Sequence, residues 1–337
     1  MAKDRLTFCV FGAGRIGRMH ARNLAAHPRA RVKTIVDPIA RMAKAVAREV
    51  GAATAPDAAT ALADREIDAV MIASSTNTHV DLILASARMG KAVLCEKPID
   101  LDIRRVDRCL AELREHRVPV AIGFNRRFDP TNRAIREAIR RGEVGRVEQI
   151  VITSRDPAPP PMAYIKTSGG LFRDMMIHDF DLARWLLGAE PVEVVAKASC
   201  QVDPKIARLG DIDSAMVILK TRDGALCQIN NSRRAVYGYD QRVEVLGARG
   251  MVRSDNLRPT AILKSTEAAT DAHDVLLPFF VERYAQSYAH EIDDFIDAVR
   301  SRRKPSAGVE DGRRALLLAD AALQSHRTGR TVRIGAG

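Results

Sequence analysis

Three stretches of the chain combine residue types and spacings suited to redox chemistry on a small molecule. Gly12-Ala13-Gly14-Arg15-Ile16-Gly17 spells GxGxxG between an apolar run and a helix-like one. In that setting the first glycine permits a tight turn, the second lets backbone approach a pyrophosphate, and the third lets helix and strand pack closely. The helix N-terminus then faces the phosphates. Asp37 lies 20 residues beyond Gly17, at the end of the next apolar run, where an acid accepts hydrogen bonds from an adenosine ribose. A carboxylate there repels a 2′-phosphate, so NAD is expected over NADP, with Arg41 as a partial offset. The second stretch comprises two turns. Ser74-Ser75-Thr76-Asn77-Thr78-His79 offers Ser74, Thr76, Asn77 and His79 for contacts to a nicotinamide ribose, although Thr76 or Thr78 would equally cap the next helix. Glu96-Lys97-Pro98 places a lysine where it reaches the nicotinamide end of a cofactor and a substrate hydroxyl. The third stretch follows Gly169-Gly170, where Asp174 and His178 stand four apart and would share one face of a helix. Dehydrogenating an alcohol requires a base for the hydroxyl proton, and a histidine beside an orienting carboxylate suits that role.

The elements that position these residues read as α/β. Short apolar runs at Leu6–Val10, Val32–Val36, Ala69–Ala73, Ala92–Cys95 and Val118–Gly123 alternate with helical spacing at Met19–Ala26, Arg41–Val50, Thr78–Met89 and Ile103–His116. That rhythm predicts a doubly wound parallel sheet, a Rossmann domain over residues 1–123. Beyond it, Asp129-Pro130 predicts an N-cap with proline at the first helical position of a helix to about Arg141. Strand-like runs then follow at Val147–Ser154, Val192–Cys200, Asp213–Lys220, Leu226–Ser232, Gln241–Leu246 and Ala261–Lys264, with helices at Tyr284–Arg300 and Glu310–His326. Residues 124–337 are therefore expected to form an α+β domain with a large, mostly antiparallel open sheet, for substrate binding and oligomerisation.

Composition excludes several classes. The net charge of +11 invites a nucleic-acid reading, but its arginines are interspersed with acids, and the longest basic run, Arg302-Arg303-Lys304, has no interleaved aromatics for base stacking. No apolar run approaches a membrane span, and the N-terminus enters a strand without an apolar leader, which predicts a cytoplasmic protein. The five cysteines are widely spaced, so no disulfide framework or zinc site is expected; Cys9 and Cys95 read as small apolar residues in strands. The histidines other than His178 form no HxH or HExxH pattern, so no metal is expected, and His290 with Glu291 reads as a surface pair.

GAGRIG, STNTH, EKP, GFNRRFD, AYIKTSGGLFRDMMIHDFDLARWLLG and YGYDQRVEV together resemble the Gfo/Idh/MocA oxidoreductases over nearly the whole chain. YIKTSGG with YGYDQ is similar to the inositol-oxidising branch of that family. The resemblance implies Lys97, Asp174 and His178 as a catalytic trio. His178 would be the general base, Asp174 would orient substrate or base, and Lys97 would hold the reacting hydroxyl. Glu96 and Lys97 would border the cofactor, and Pro98 would follow a cis peptide. Tyr164, Lys166 and Tyr237 or Tyr239 would contact a polyol, with Asn125 and Arg127 at the border of cofactor and substrate. Ser75 departs from the family pattern, which often carries proline there. The implied activity is NAD-dependent oxidation of a cyclic polyol, myo-inositol first. Another inositol isomer or an aldose sugar is the nearest alternative, and a non-catalytic NAD-sensing regulator is the alternative of a different class. The resemblance also implies a homotetramer packed through the open sheets.

Overall fold

The computed structural model describes residues 5–335. The chain falls into two compact units: residues up to Phe128 with Ser287–Leu316, and Asp129–Gln286 with the residues from Leu317 onward.

The first unit alternates strand and helix: β1 Leu6–Phe11, α1 Arg15–Ala26, β2 Ala30–Val36, α2 Ala40–Val50, β3 Ala53–Thr54, α3 Ala58–Leu62, β4 Ala69–Ile72, α4 His79–Arg88, β5 Ala92–Cys95, α5 Ile103–Leu113 and β6 Val120–Ile122. The strands pair in parallel in the order β3-β2-β1-β4-β5-β6, the doubly wound sheet expected from the rhythm of the sequence. The order reverses between β1 and β4, and ligands of such sheets bind outside the carboxyl ends of the strands at that point. β3 and α3 are additions; a two-residue strand with both side chains exposed leaves no apolar run to read. The strands β1, β4 and β5 are buried on both faces, which explains their unbroken apolar runs. Cys9 and Cys95 lie fully buried within them, and burial pushes the Cys9 thiol up to about 12, an inert packing group.

The second unit opens with α6 Pro130–Arg140, capped as expected by Asp129, whose carboxylate accepts from the Asn132 N–H at 3.1 Å. There follow β7 Val147–Arg155, α7 Met162–Ile165, α8 Leu171–Asp174, α9 Ile177–Leu187, β8 Pro191–Ser199, α10 Pro204–Arg208, β9 Ser214–Thr221, β10 Leu226–Ser232, β11 Asp240–Gly247 and β12 Gly250–Arg253. The chain continues through β13 Leu263–Lys264, β14 Ala272–His273, α11 Phe280–Arg283, α12 Ala285–Ser301, α13 Val309–Thr328 and β15 Val332–Arg333. The sheet has seven strands in the order β12-β11-β7-β10-β9-β8-β15. All its pairings are antiparallel except β7 with β10.

Two expectations are corrected here. The run expected at Ala261–Lys264 is shorter, and pairs only with β14 in a separate hairpin; its residues are exposed, so no core holds it in the large sheet. The helix expected at Tyr284–Arg300 is α12, and the short α11 precedes it. Residues Ile292, Phe295 and Ile296 of α12 pack with Phe8, Leu24, Ile35, Met71 and Leu94 in the core of the first unit, a return that no local signal announces. His290 and Glu291 do not form a surface pair. His290 Nδ1 donates to the Phe128 carbonyl at 3.2 Å, and Glu291 is buried; the helix register needed by Ile292 and Phe295 turns it inward.

Alternation along β9 buries Ala215, Val217 and Leu219 and exposes Met216 and Ile218. The register carries that outer face across β10, β11 and β12, where Leu226, Leu246 and Met251 are also exposed. Within the second unit, Arg283 Nη1 donates to Asp129 Oδ2 at 2.5 Å, both side chains being buried. Asp129→Ala should therefore lose about 3–5 kcal/mol in urea denaturation, because it strips a helix cap and leaves a buried guanidinium without its counter-charge. Loss of less than about 1 kcal/mol, the worth of an exposed pair, would contradict that assignment.

Candidate active site

The glycine turn is built by close approach. Gly12 adopts a φ of +96°, and a Cβ there would sit 2.5 Å from the Ala73 carbonyl oxygen. A Cβ on Gly17 would sit 1.9 Å from the Gly12 carbonyl oxygen, so α1 can meet the turn only through a glycine. Gly14 differs: a Cβ on it meets nothing within 4 Å, and it occupies the N-cap of α1 with no side-chain cap bond. An open backbone face at a helix N-terminus fits a pyrophosphate, whose oxygens accept the first N–H groups. Arg15 and Ile16 follow in the first turn. Asp37 ties this turn to the end of β2, since its Oδ2 accepts from Ala13 N–H at 2.7 Å and its Oδ1 from Ile39 N–H at 2.8 Å. Each oxygen keeps a further lone pair, which suits a ribose hydroxyl. Arg41 lies exposed in the first turn of α2.

The turn after β4 is a 3-10 turn, Thr76–Thr78. Thr78 does not cap α4; its hydroxyl donates to Ser75 O at 2.7 Å and meets Ser74 Oγ at 2.7 Å. Asn77 is exposed beside it. His79 is buried, with Nδ1 2.8 Å from Pro98 O and Nε2 3.1 Å from Ser74 O. Burial pushes its pKa down against the pull of both carbonyls, so the neutral ring donates one proton, assigned to Nδ1 on the shorter contact. His79 thereby ties the turn after β4 to the Glu96-Lys97-Pro98 turn after β5. The Lys97–Pro98 peptide is cis. Glu96 Oε1 accepts from His20 Nε2 at 2.7 Å, and Glu96 Oε2 from Lys97 N–H at 3.3 Å. Burial raises the Glu96 pKa, but the bond from His20 and the charges of His20 and Lys97 outweigh it, and the carboxyl settles below its usual range. Asn125 and Arg127 belong to this unit and are buried. Arg127 is committed to Asp311 at 2.7 Å and to Ser306 O at 2.8 Å.

In the second unit Asp174 and His178 do not lie on one continuous helix. Asp174 closes α8, and His178 stands in the first turn of α9, with Met175 and Met176 between them in helical conformation but outside both helices. The Met175 and Met176 amides both donate to the Leu171 carbonyl, at 3.0 Å each, and the regular helical ladder stops there. Asp174 is clamped: Tyr164 OH donates to its Oδ1 at 2.7 Å, and Arg233 Nη2 donates to its Oδ2 at 3.3 Å. Arg233 is 1% exposed and also lies 3.9 Å from Asp211. Asp211 Oδ1 in turn accepts from Leu171 N–H at 3.0 Å, and a Cβ on Gly170 would approach that oxygen to 2.8 Å. Gly170 thus lets Asp211 reach the start of α8, and two acids hold one buried guanidinium. Arg233 is a site residue that the sequence reading missed. Its signal was the polar run Asn230-Asn231-Ser232-Arg233 ending an alternating strand, where an inward charge demands a partner.

The remaining polyol candidates divide by environment. Tyr164 is half-exposed beside Asp174, and Lys166 follows it on an exposed turn. Tyr239 is buried, edge-on to Phe279 and Tyr284 at 5.7 and 6.1 Å between ring centroids. Tyr237 is half-exposed; its hydroxyl donates to Asp240 Oδ2 at 2.7 Å and accepts from Arg155 Nη1 at 2.9 Å. It lines a depression on the sheet with Lys197, Met216, Asn230 and Arg234.

Two models of one oxidoreductase family match the chain. The NAD-binding Rossmann fold matches residues 6–124, and the C-terminal alpha/beta domain matches residues 136–334. The inositol 2-dehydrogenase of Rhizobium meliloti is 48% identical, over 97% of this chain and 98% of that one. The crystal structure of a myo-inositol dehydrogenase from Corynebacterium glutamicum superposes with a TM-score of 0.95 at 43% identity, covering 99% of this chain and 100% of that one. That of the myo-inositol dehydrogenase of Lactobacillus casei, in complex with NAD(H) and myo-inositol, superposes with a TM-score of 0.89 at 26% identity, covering 99% and 98%.

The glycine geometry separates two variants. Gly17→Ala should fail to give a cooperatively folded first unit, because backbone must move to admit its methyl group. Gly14→Ala should melt within a few degrees of the parent yet bind NADH at least about tenfold more weakly, the equivalent of about 1.4 kcal/mol. NADH titration by fluorescence beside a thermal melt checks both; unchanged NADH affinity in Gly14→Ala would remove that glycine from the cofactor contact.

Proposed function

The chain belongs to the Gfo/Idh/MocA oxidoreductase family, and from that premise we propose that it oxidises a cyclic polyol, myo-inositol first, to the corresponding ketone with NAD. The observation that carries the reading is Asp174 held by Tyr164 and Arg233 four residues before His178, in a chain that keeps Glu96-Lys97-Pro98 after its fifth parallel strand. A cofactor-sensing scaffold has no need of that proton-handling set. The similarity to inositol dehydrogenases over almost the full length supports the substrate class.

NAD supplies the acceptor for the hydrogen that leaves carbon with its electron pair. The residues of this chain handle the proton and the orientation. His178 takes the hydroxyl proton as general base and passes it to solvent. Asp174, kept in one rotamer by Tyr164 and Arg233, orients a neighbouring hydroxyl or the imidazole. Lys97 holds the reacting oxygen and favours its alkoxide character. Tyr164 and Lys166 supply further polar contacts to the ring hydroxyls. Gly12, Gly14, Arg15, Ile16, Gly17, Asp37, Arg41, Ser74, Thr76 and Asn77 form the cofactor surface, with His79 and Glu96 positioning its turns. Asn125 and Arg127 act from within the first unit, and Arg127 does so through Asp311. Tyr237 is the half-exposed tyrosine of the pair, whereas Tyr239 is a core residue.

The exposed apolar strip of Met216, Ile218, Leu226, Leu246 and Met251 supports assembly through the open sheet, since such a patch is seldom left bare in a monomer. We read the assembly as a homotetramer and the protein as cytoplasmic; no helix among the described residues is long and apolar enough to cross a membrane.

NADH formation with myo-inositol, scyllo-inositol, chiro-inositol, glucose, xylose and galactose tests the substrate, with myo-inositol expected to be oxidised fastest. His178→Ala should retain NADH affinity and lose about 10²–10⁴-fold in kcat; intact turnover would remove His178 from proton transfer. Asp37→Ala should narrow the preference for NAD over NADP, measured as the ratio of kcat/KM values, and an unchanged ratio would take Asp37 out of the ribose site. A sedimentation velocity run that finds a monomer at micromolar concentration would contradict the assembly.

A further inference from the structure

The first unit buries a second set of polar groups behind the Glu96-Lys97-Pro98 turn. Glu291 of α12 is 2% exposed, and neither of its carboxyl oxygens has a hydrogen-bond partner among the described residues. His20 Nδ1 and Asn125 Nδ2 are likewise buried without partners. One face of α12 collects all three groups. Tyr288 meets the His20 ring edge-on at 5.4 Å between centroids, Ser287 Oγ donates to the Asn125 carbonyl, and Glu291 lies one turn beyond both. Leaving so many polar atoms without partners in a core is costly unless they serve one another or a bound water.

The charges facing Glu291 are those of Glu96, at the end of β5 and bonded to His20 of α1, and of Asp294 on its own helix. Two carboxyl groups in one another's field are not equivalent here. Glu96 is held ionised by His20, whereas burial first, and the charges of Glu96 and Asp294 second, push Glu291 far above the usual carboxylate range. Environments that drive two acids apart in this way assign one as the charge and the other as the proton holder. With Nε2–H given to Glu96, Nδ1 is the ring nitrogen of His20 left to a further partner, and a neutral carboxylic acid has one O–H to donate.

We propose that Glu291 is a positioning residue: as a neutral acid it donates to one bound water that bridges to His20 Nδ1, and so fixes the His20–Glu96 pair that holds the backbone of Lys97. The proposal rests on Lys97 lying at the cofactor, and deepens that reading by adding a proton-bearing support behind it. Ionisation of Glu291 would set a second negative charge against Glu96 and loosen the turn.

The sign of the pH effect follows from linkage. A carboxyl whose pKa is raised on folding costs stability progressively as pH climbs above its unfolded value, and a glutamine at the same place does not. Glu291→Gln should therefore melt with the parent near about pH 5 and above it at about pH 8–9, the gap widening with pH. In NADH titrations Glu291→Gln should stay within about twofold of the parent at pH 7 and keep its affinity at alkaline pH where the parent weakens. Glu291→Leu, which fills the space without a donor, should bind NADH roughly tenfold more weakly, as for one lost buried hydrogen bond. A melting difference that does not change with pH overturns the proposal. So does a loss of NADH affinity in Glu291→Gln at every pH, or parental affinity in Glu291→Leu. If Glu291→Leu does not fold, the two curves of Glu291→Gln decide. Neither readout contains a polyol, so a wrong substrate class would appear separately, as silent turnover with these results intact.

Discussion

The approach of Gly17 to the Gly12 carbonyl is the constraint on which the cofactor half depends. A single methyl group would have to share space with that oxygen at 1.9 Å, so the helix starts where it does only because two glycines meet. Once α1 is seated, its first N–H groups aim at the carboxyl edge of the sheet, and Asp37 clamps the turn to β2 through the Ala13 amide. His79 and Glu96 extend the same logic along that edge. His79 is buried and Glu96 partly so, and both use polar atoms on the protein, His79 on Pro98 and Glu96 on His20 and Lys97. The groups left to meet a ligand are mostly backbone and small side chains, which suits a cofactor bound by close approach.

In the second unit the corresponding constraint is a buried guanidinium. Arg233 has almost no exposure to solvent, and a charge so placed requires paired acids. Asp174 and Asp211 meet that need, and each is tied to a further element: Asp174 to Tyr164 of α7, Asp211 to the first amide of α8. Asp174 is therefore held in place for reasons of stability as well as chemistry. A residue that the fold cannot move is well suited to orient a substrate hydroxyl.

The features legible in the sequence were those carried by local pattern. Parallel strands buried on both faces leave apolar runs, and β1, β4 and β5 were found nearly to the residue. The cap at Asp129 and the glycine turn each follow from chemistry within a few positions. What escaped depends on partners far along the chain. β15 joins the sheet edge through two residues beside β8, and β7 pairs in parallel with β10, a pairing set by tertiary order that strand periodicity does not encode. His290 and Glu291 read as a surface pair because both are polar, yet Ile292 and Phe295 turn that segment of α12 into the first unit's core. Arg233 was overlooked for a similar reason: its partner acids lie 59 residues away at Asp174 and 22 away at Asp211, both outside its own strand. The expectation of one helix carrying Asp174 and His178 failed at Met175–Met176, where two successive amides share the Leu171 carbonyl and the regular ladder stops.

The central claim is that the hydrogen on the carbinol carbon of a cyclic polyol moves intact to NAD while the hydroxyl proton leaves by His178. The direct test is to supply myo-inositol carrying deuterium at the carbon to be oxidised, in ordinary water, and to weigh the reduced cofactor. The account predicts one deuterium in each NADH formed. Reduced cofactor without deuterium, or no reduction by any polyol from a protein that binds NADH tightly, would contradict it.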